Sequence, residues 1–283
     1  MLFNQVRALY DRLPTWAVHD LSERPADVPR SAFARHVEVL GHLYEKVATS
    51  TAEAVAAGHT PVVLSGDHGN ALGVMAGLKR HLGSRKLGVV WIDAHGDLHS
   101  PYTTPSGNMH GMPLGAALGH NFLFLPTNTV DAQAEDFWQT LKQLGGTAEP
   151  IVRPEHLVFV GIRSLEQAEW SLIEDRKIRH FTVEDVTMNG AVAIGQEVLR
   201  YLDTCDAIYV SFDTDSFDAL LAPGTGTPVP LGLSYTQALL LTQTLWQSPK
   251  LAAFELTEVN PLLDRDGQTA RLGANLLAAL LKD

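Results

Sequence analysis

The stretch that most constrains this chain is Leu87-Gly-Val-Val-Trp-Ile92, followed at once by Asp93-Ala-His-Gly-Asp97. An apolar run this short and unbroken reads as a strand buried on both faces, the kind found in parallel sheets covered by helices. It ends on carboxylate, imidazole and carboxylate at alternate positions. Charges at the tip of a buried strand are costly to desolvate and need a counter-charge. Few lysines or arginines stand near in the chain, so a divalent metal is the remaining partner.

The rest of the chain repeats this plan. Residues 31–57 keep helical spacing through Phe33, Val37, Leu40, Leu43 and Val47, with Ser31 as the expected cap and Gly58 as the stop. Strands are predicted at 61–64, 87–92, 157–162, 178–182, 207–212 and 251–256. Helices are predicted from about 70 to 83, and at 114–121, 133–145, 166–176, 190–203, 234–247 and 266–281. The Gly- and Pro-rich stretch 94–113 is neither, and a loop that long inside a compact domain is usually functional. Residues 1–30, dotted with Pro14, Pro25 and Pro29, read as an irregular arm with room for a helix at 3–13. With no repeat and no linker, the expectation is a single domain over 1–283, folded as a three-layer α/β/α sandwich around a parallel sheet.

Five apolar runs are followed directly by polar groups: Gly66-Asp67-His68, Asp93-Ala-His95, Arg163, Asp213-Thr-Asp215 and Glu258. In an open parallel sheet the C-terminal strand ends share one edge, where ligands bind. Residues from 68 to 258 can therefore face one crevice. The expected ligands are His68, Asp93, His95, Asp97, Asp213 and Asp215. Four carboxylates and two imidazoles suit Mn²⁺ better than Zn²⁺, which leans to His and Cys. Six protein ligands exceed the need of one ion that must also hold water, so two ions sharing carboxylates fit the count. Such a pair lowers the pKa of a water held between the ions and makes a nucleophile at neutral pH. Taken singly, the pieces have plainer readings. Asp213-Thr-Asp215 is then a solvated turn, His68 a core histidine or helix cap, Asp67 a structural group, and Arg163 with Glu258 a bridge.

Composition narrows the partners. The formal net charge of -11 disfavours nucleic acid and anionic membranes. Cys205 stands alone, which rules out an intrachain disulfide and a thiolate metal cluster. No signal peptide or membrane-length apolar run is legible, so the expected compartment is the cytoplasm.

Taken together, Gly66-Asp-His68, Asp93-Ala-His-Gly-Asp97, Ser106-Gly-Asn-Met-His-Gly-Met-Pro113, Ser211-Phe-Asp-Thr-Asp215 and Glu258-Val-Asn-Pro261 make the chain resemble the ureohydrolase family of arginases, agmatinases and relatives, over roughly 60–262. The Ser106–Pro113 loop is most similar to that of arginases. The resemblance implies an arginase-like fold, commonly in trimers or hexamers, and two Mn²⁺ ions. One ion would be held by His68, Asp93, Asp97 and Asp213, and the other by His95, Asp93, Asp213 and Asp215. It implies cleavage of a guanidino group to urea and an amine by a metal-bridging hydroxide, with L-arginine to L-ornithine as the leading case. His110 matches a proton-shuttling histidine and Glu258 the carboxylate that holds the guanidinium. Asp97 is counted with them at the reacting centre, and Ser106 and Asn108 match contacts to the substrate's carboxylate.

The chain departs from the family pattern at Ser65, Gly69, Ala219, His99 (an Asn in arginases), Ser164 and Glu166 (Asp in arginases). His99 and Glu166 stand where the substrate's amino-acid end would be met. Agmatine, a guanidino acid and formimidoylglutamate are therefore alternatives to arginine. A non-catalytic binding protein on the same scaffold and a dinuclear phosphoesterase are the rivals from other classes. The phosphoesterase would need cations near the metals, and only Arg163 is placed for that.

Overall fold

A computed structural model of the chain describes residues 17, 19–20, 31–121 and 125–281. The helix expected at 3–13 and most of the arm over 1–30 lie outside the described residues. His19 is described, and its Nε2 meets Ser50 Oγ at 2.7 Å.

Among the described residues six strands form one sheet, and every pairing is parallel. In chain order they are β1 (Val62–Leu64), β2 (Leu87–Ile92), β3 (Leu157–Val160), β4 (Arg179–Phe181), β5 (Ala207–Asp213) and β6 (Leu251–Thr257). Their spatial order is β1-β6-β5-β2-β3-β4. From β2 the chain moves outward through β3 to β4, then returns to β5 on the other side of β2 and continues to β6. Connections leaving β2 and β5 thus run in opposite directions, which opens a crevice between their C-terminal ends.

The side-chain period of two sorts the strand residues between two helical layers. Val89, Trp91, Phe159 and Tyr209 pack against helices α1 (Val37–Ala56), α2 (Ala71–Leu82), α3 (Pro113–Ala117), α4 (Ala132–Lys142) and α5 (Gln167–Arg176). Val90, Ile92, Val160, Val210 and Phe212 pack against α6 (Val183–Asn189), α7 (Ala191–Tyr201), α8 (Tyr235–Trp246) and α9 (Gln268–Leu280). This is the expected three-layer arrangement. Helices α1 and α2 approach so closely that a Cβ on Gly77 would stand 2.4 Å from the carbonyl oxygen of Ala48. No helix among the described residues is long and apolar enough to cross a membrane.

The structure moves several boundaries. Helix α1 starts at Val37, not at Ser31, and its cap is His36 in the left-handed region. The reason lies in the fold: Arg35 N donates to Gly107 O at 2.8 Å, drawing 31–36 onto the loop 94–113. That loop carries a single 3₁₀ turn at Met109–Gly111. Strand β3 stops at Val160 because Gly161 takes φ of 93° and turns the chain away. Helix α6 was not expected, although Thr182-Val-Glu-Asp185 has the capping-box pattern that the structure uses to start it.

Candidate metal centre and active site

Asp93 and Asp213 end or directly follow β2 and β5, the two strands that flank the crevice. Each folds its carboxylate back onto the chain: Asp93 Oδ1 accepts from His95 N at 2.7 Å, and Asp213 Oδ1 accepts from Asp215 N at 2.7 Å. These local bonds follow from the Asp-x-His and Asp-x-Asp spacings, and they leave the Oδ2 atoms free to face inward. Trp91 Nε1 donates to Asp93 Oδ2 at 2.9 Å, and the Trp91 ring lies flat on the His68 ring with centroids 3.9 Å apart.

His68 follows Asp67, which caps the turn at His68–Asn70 by accepting from Gly69 N. Its Nδ1 stands 3.1 Å from Oδ2 of Asp93, of Asp97 and of Asp213 alike. One imidazole proton cannot serve three carboxylates, and this buried nitrogen has no well-formed hydrogen bond. On the other side of Asp93, His95 Nδ1 stands 3.0 Å from Asp215 Oδ2 and 3.5 Å from Asp93 Oδ1. His68, Asp93 and Asp213 form one compact group of donor atoms, and Asp93, His95 and Asp215 form another that shares Asp93. The six predicted ligands therefore converge.

The electrostatics describe a shortage of positive charge. Burial, then the neighbouring Asp215 and Asp93, push Asp213 well above the usual carboxylate range. Burial and Asp93 bring Asp215 up to about 6. Burial opposes charge on Asp93 too, but its bonds to His68 and His95 hold it below the usual range. Burial likewise disfavours a charged His68, yet the carboxylates of Asp213, Asp93 and Asp97 outweigh it and hold its pKa well above normal. For His95 the same contest, with Asp215 foremost among the acids, ends at about 12. With no cation, protons have to neutralise this cluster. A bare nitrogen facing three carboxylate oxygens fits a divalent ion better.

Asp97 and Glu258 both sit at positive φ, 50° and 63°. Such backbone costs about 1 kcal/mol or more and persists where the surroundings enforce it. Leu114 N binds Asp97 O at 3.1 Å, and Thr214 Oγ1 binds Glu258 O at 3.0 Å. Glu258 Oε1 accepts from His68 N at 2.8 Å, and burial with the nearby Asp67 raises its pKa to about 7. His110, on the 3₁₀ turn, is close enough to act electrostatically on both Asp97 and Glu258.

The remaining predicted contacts lie along the loop. Ser106 Oγ accepts from Asn108 N at 3.1 Å. Asn108 Oδ1 accepts from Arg35 Nη1 at 3.3 Å. His99 is buried, with Nδ1 3.1 Å from Thr103 Oγ1 and Nε2 3.1 Å from Glu166 Oε2. The bond from His99 pulls Glu166 down to about 2. His99 and Glu166, expected as separate substrate contacts, are thus each other's partner here.

With this geometry in view, three relatives place the chain. The Arginase family profile matches residues 4–282. The arginase of Bacillus caldovelox is 36% identical over 247 residues, 87% of this chain and 76% of that protein. The solved arginase of Bacillus subtilis superposes with a TM-score of 0.84 at 31% identity, covering 99% of this chain and 89% of that one. The arginase of Entamoeba histolytica, solved in complex with L-ornithine, superposes with a TM-score of 0.79 at 27% identity, over 93% and 83% of the two chains.

The chain belongs to the arginase family.

Members of this family are metal-dependent hydrolases of guanidino carbon–nitrogen bonds. Against that background, one expectation needs correction. Arg163 does not pair with Glu258. Its guanidinium donates to five carbonyls, those of Pro230, Gly161, Asp215, Phe217 and Val229, and so ties the loop 215–230 to the end of β3. A guanidinium committed to these carbonyls is poorly placed to receive a phosphate, which counts against the phosphoesterase reading. Sequence reasoning also passed over Arg35, Thr227 and Glu169. Thr227 Oγ1 donates to Asp215 Oδ2 at 3.2 Å. Buried Glu169 accepts from Leu98 N at 3.2 Å and from Glu166 N at 3.0 Å. The Glu166-x-x-Glu169 spacing before a helix was the available signal for Glu169. No local pattern pointed to Arg35.

Proposed function

We propose that this arginase-family chain holds two Mn²⁺ ions and hydrolyses L-arginine to L-ornithine and urea. The observation that carries the metal reading is His68 Nδ1, buried, bare and equidistant from three carboxylate oxygens. His68, Asp93, Asp97 and Asp213 would hold one ion, and His95, Asp93, Asp213 and Asp215 the other. A hard, oxygen-rich donor set favours Mn²⁺. When bound, two divalent ions supply a water of lowered pKa as the nucleophile.

The chain's own residues do the rest. Glu258 receives the guanidinium, a planar cation that a carboxylate can bind through two parallel bonds. Burial and the nearby Asp67 raise its pKa to about 7, and an arriving cation stabilises the charged form. His110, close to Asp97 and Glu258, carries a proton to the departing amine, a task that suits imidazole near neutral pH. Ser106 and Asn108 would meet the substrate's carboxylate. Arg35 favours an anionic tail there, because its guanidinium holds Asn108 Oδ1 and adds positive charge beside it. Glu166, backed by His99, would meet an ammonium group. That a relative was solved with an amino-acid product supports this choice of tail.

The exchange of His99 and Glu166 into a mutual pair supports a second reading within the family, a guanidino or amidino substrate other than arginine. A trimer or hexamer in the cytoplasm, built from a single-domain chain, completes the proposal. The test is a panel of L-arginine, agmatine, guanidinobutyrate, guanidinopropionate and N-formimidoyl-L-glutamate with added Mn²⁺, read as urea, formamide or ammonia release. Urea from arginine above all others is expected. Tight Mn²⁺ binding with no turnover of any of them would instead make this a non-catalytic binding protein.

A further inference from the structure

One register row crosses the whole sheet through Val63, Glu255, Ser211, Trp91, Phe159 and His180. Glu255 sits on β6, one strand in from the edge, and is 0% exposed. A fully buried carboxylate is costly unless hydrogen bonds satisfy it. Its partners are two hydroxyls: Ser65 Oγ donates to Oε1 and Tyr209 Oη donates to Oε2. Ser211 stands two residues beyond Tyr209 on the same face of β5, close enough for its hydroxyl to act on the phenol oxygen, and Ser211 Oγ stands 2.8 Å from His68 Nε2. Four groups therefore form a line from the floor of the sheet to the metal centre.

The direction of this line follows from counting protons. An ionised carboxylate only accepts, whereas each hydroxyl has one proton to give. Tyr209 must spend its proton on Glu255. Ser211 must then give its own to Tyr209, and can only accept from His68. A neutral His68 is left with its hydrogen on Nε2 and a bare lone pair on Nδ1, the atom that faces Asp93, Asp97 and Asp213. The opposite tautomer would aim a hydrogen at the metal position.

We propose that Tyr209 and Glu255 are positioning residues for the metal centre, acting through Ser211 to hold His68 in the one tautomer that can ligate. The inference rests on the metal reading of the site above. Groups behind metal-bound histidines commonly set ring orientation and tautomer, and their loss weakens metal binding by about 10- to 100-fold.

The test compares the full-length wild type with Tyr209→Phe and with Tyr209→Phe/Glu255→Met. The double variant leaves no orphaned carboxylate, so it keeps the experiment decisive if Tyr209→Phe alone fails to fold. Mn²⁺ affinity is read by chelator competition, the state of the ions by electron paramagnetic resonance, and metal-free stability by thermal melting. The expected result is one of the two ions bound about 10- to 100-fold more weakly in the variants, with the spin-coupled pair signal replaced by that of an isolated ion. Metal-free melting of the double variant should stay near that of wild type. Wild-type affinity for both ions and an intact pair signal in the double variant would overturn the inference, whatever its melting temperature. A wild-type chain that binds no Mn²⁺ would instead remove the metal reading itself.

Discussion

Asp93, Asp213 and Asp215 stand at or just past the tips of the two strands that flank the crevice, whereas Ser106, Asn108, His99 and Glu166 stand on a long loop and a helix cap. The first group is buried, with Asp93 and Asp213 locked by bonds to backbone neighbours two residues away and Asp215 held by Ala94 N across the strand tips. In the second, Asn108 is held by distant Arg35 and His99 by distant Glu166, and the side chain of Glu166 is 55% exposed. The metal end keeps every residue the family resemblance implies. At the tail end the contact residues themselves depart from it, at His99, Ser164 and Glu166. A strand tip fixes a side chain through backbone geometry that one substitution cannot easily rearrange. A loop leaves each contact to be set separately, so specificity can change there without cost to the reactive centre.

If the two ends are independent in this way, damage to the metal end should abolish chemistry and damage to the tail end should only redirect it. Asp213→Ala should lose both ions by metal analysis, and urea release should fall by at least about 10³-fold as water regains its ordinary pKa. His110→Ala should keep both ions while turnover falls by about 10²-fold or more, the usual worth of a placed acid or base. Unchanged turnover would remove His110 from the mechanism.

A third measurement uses pH to sharpen the contrast. Asp215 and Glu258 have folded-state pKa values of about 6 and about 7, above those of free carboxyls. Folded protein without metal therefore holds these protons more tightly than unfolded chain does, and it should lose stability as pH rises from about 4 through 7. His68 and His95 are also raised, and their contribution is full below about 6.5 and declines above it. Both trends make the metal-free protein less stable toward alkaline pH. Metal binding displaces the protons on Asp215, His68 and His95, so apparent Mn²⁺ affinity should climb by up to about tenfold per pH unit for each proton released. Melting curves with and without Mn²⁺ between pH 5 and 8 should diverge steadily, and parallel curves would contradict the account of the cluster.

The smallest effect belongs to the tail. Arg35→Met should raise KM for arginine about tenfold, equivalent to about 1.4 kcal/mol, with kcat nearly unchanged. The KM for agmatine, which has no carboxylate, should not move. An equal change for both substrates would mean that Arg35 supports the loop and not the substrate.

Short-range pattern sufficed for the parallel sheet and for the six His and Asp residues that converge at its edge, though not for every strand boundary. Apolar runs and their periodicity encode strands, and each of these side chains follows its strand within a few positions. The same logic failed where a partner is remote. Asn108 meets Arg35 across 73 positions, His99 meets Glu166 across 67, and Ser65 meets Glu255 across 190. It failed for Arg163 as well, because carbonyl oxygens carry no residue identity that a sequence could display. Those pairings exist only once the sheet has closed the distances, and the folded chain alone decides which donor each acceptor receives.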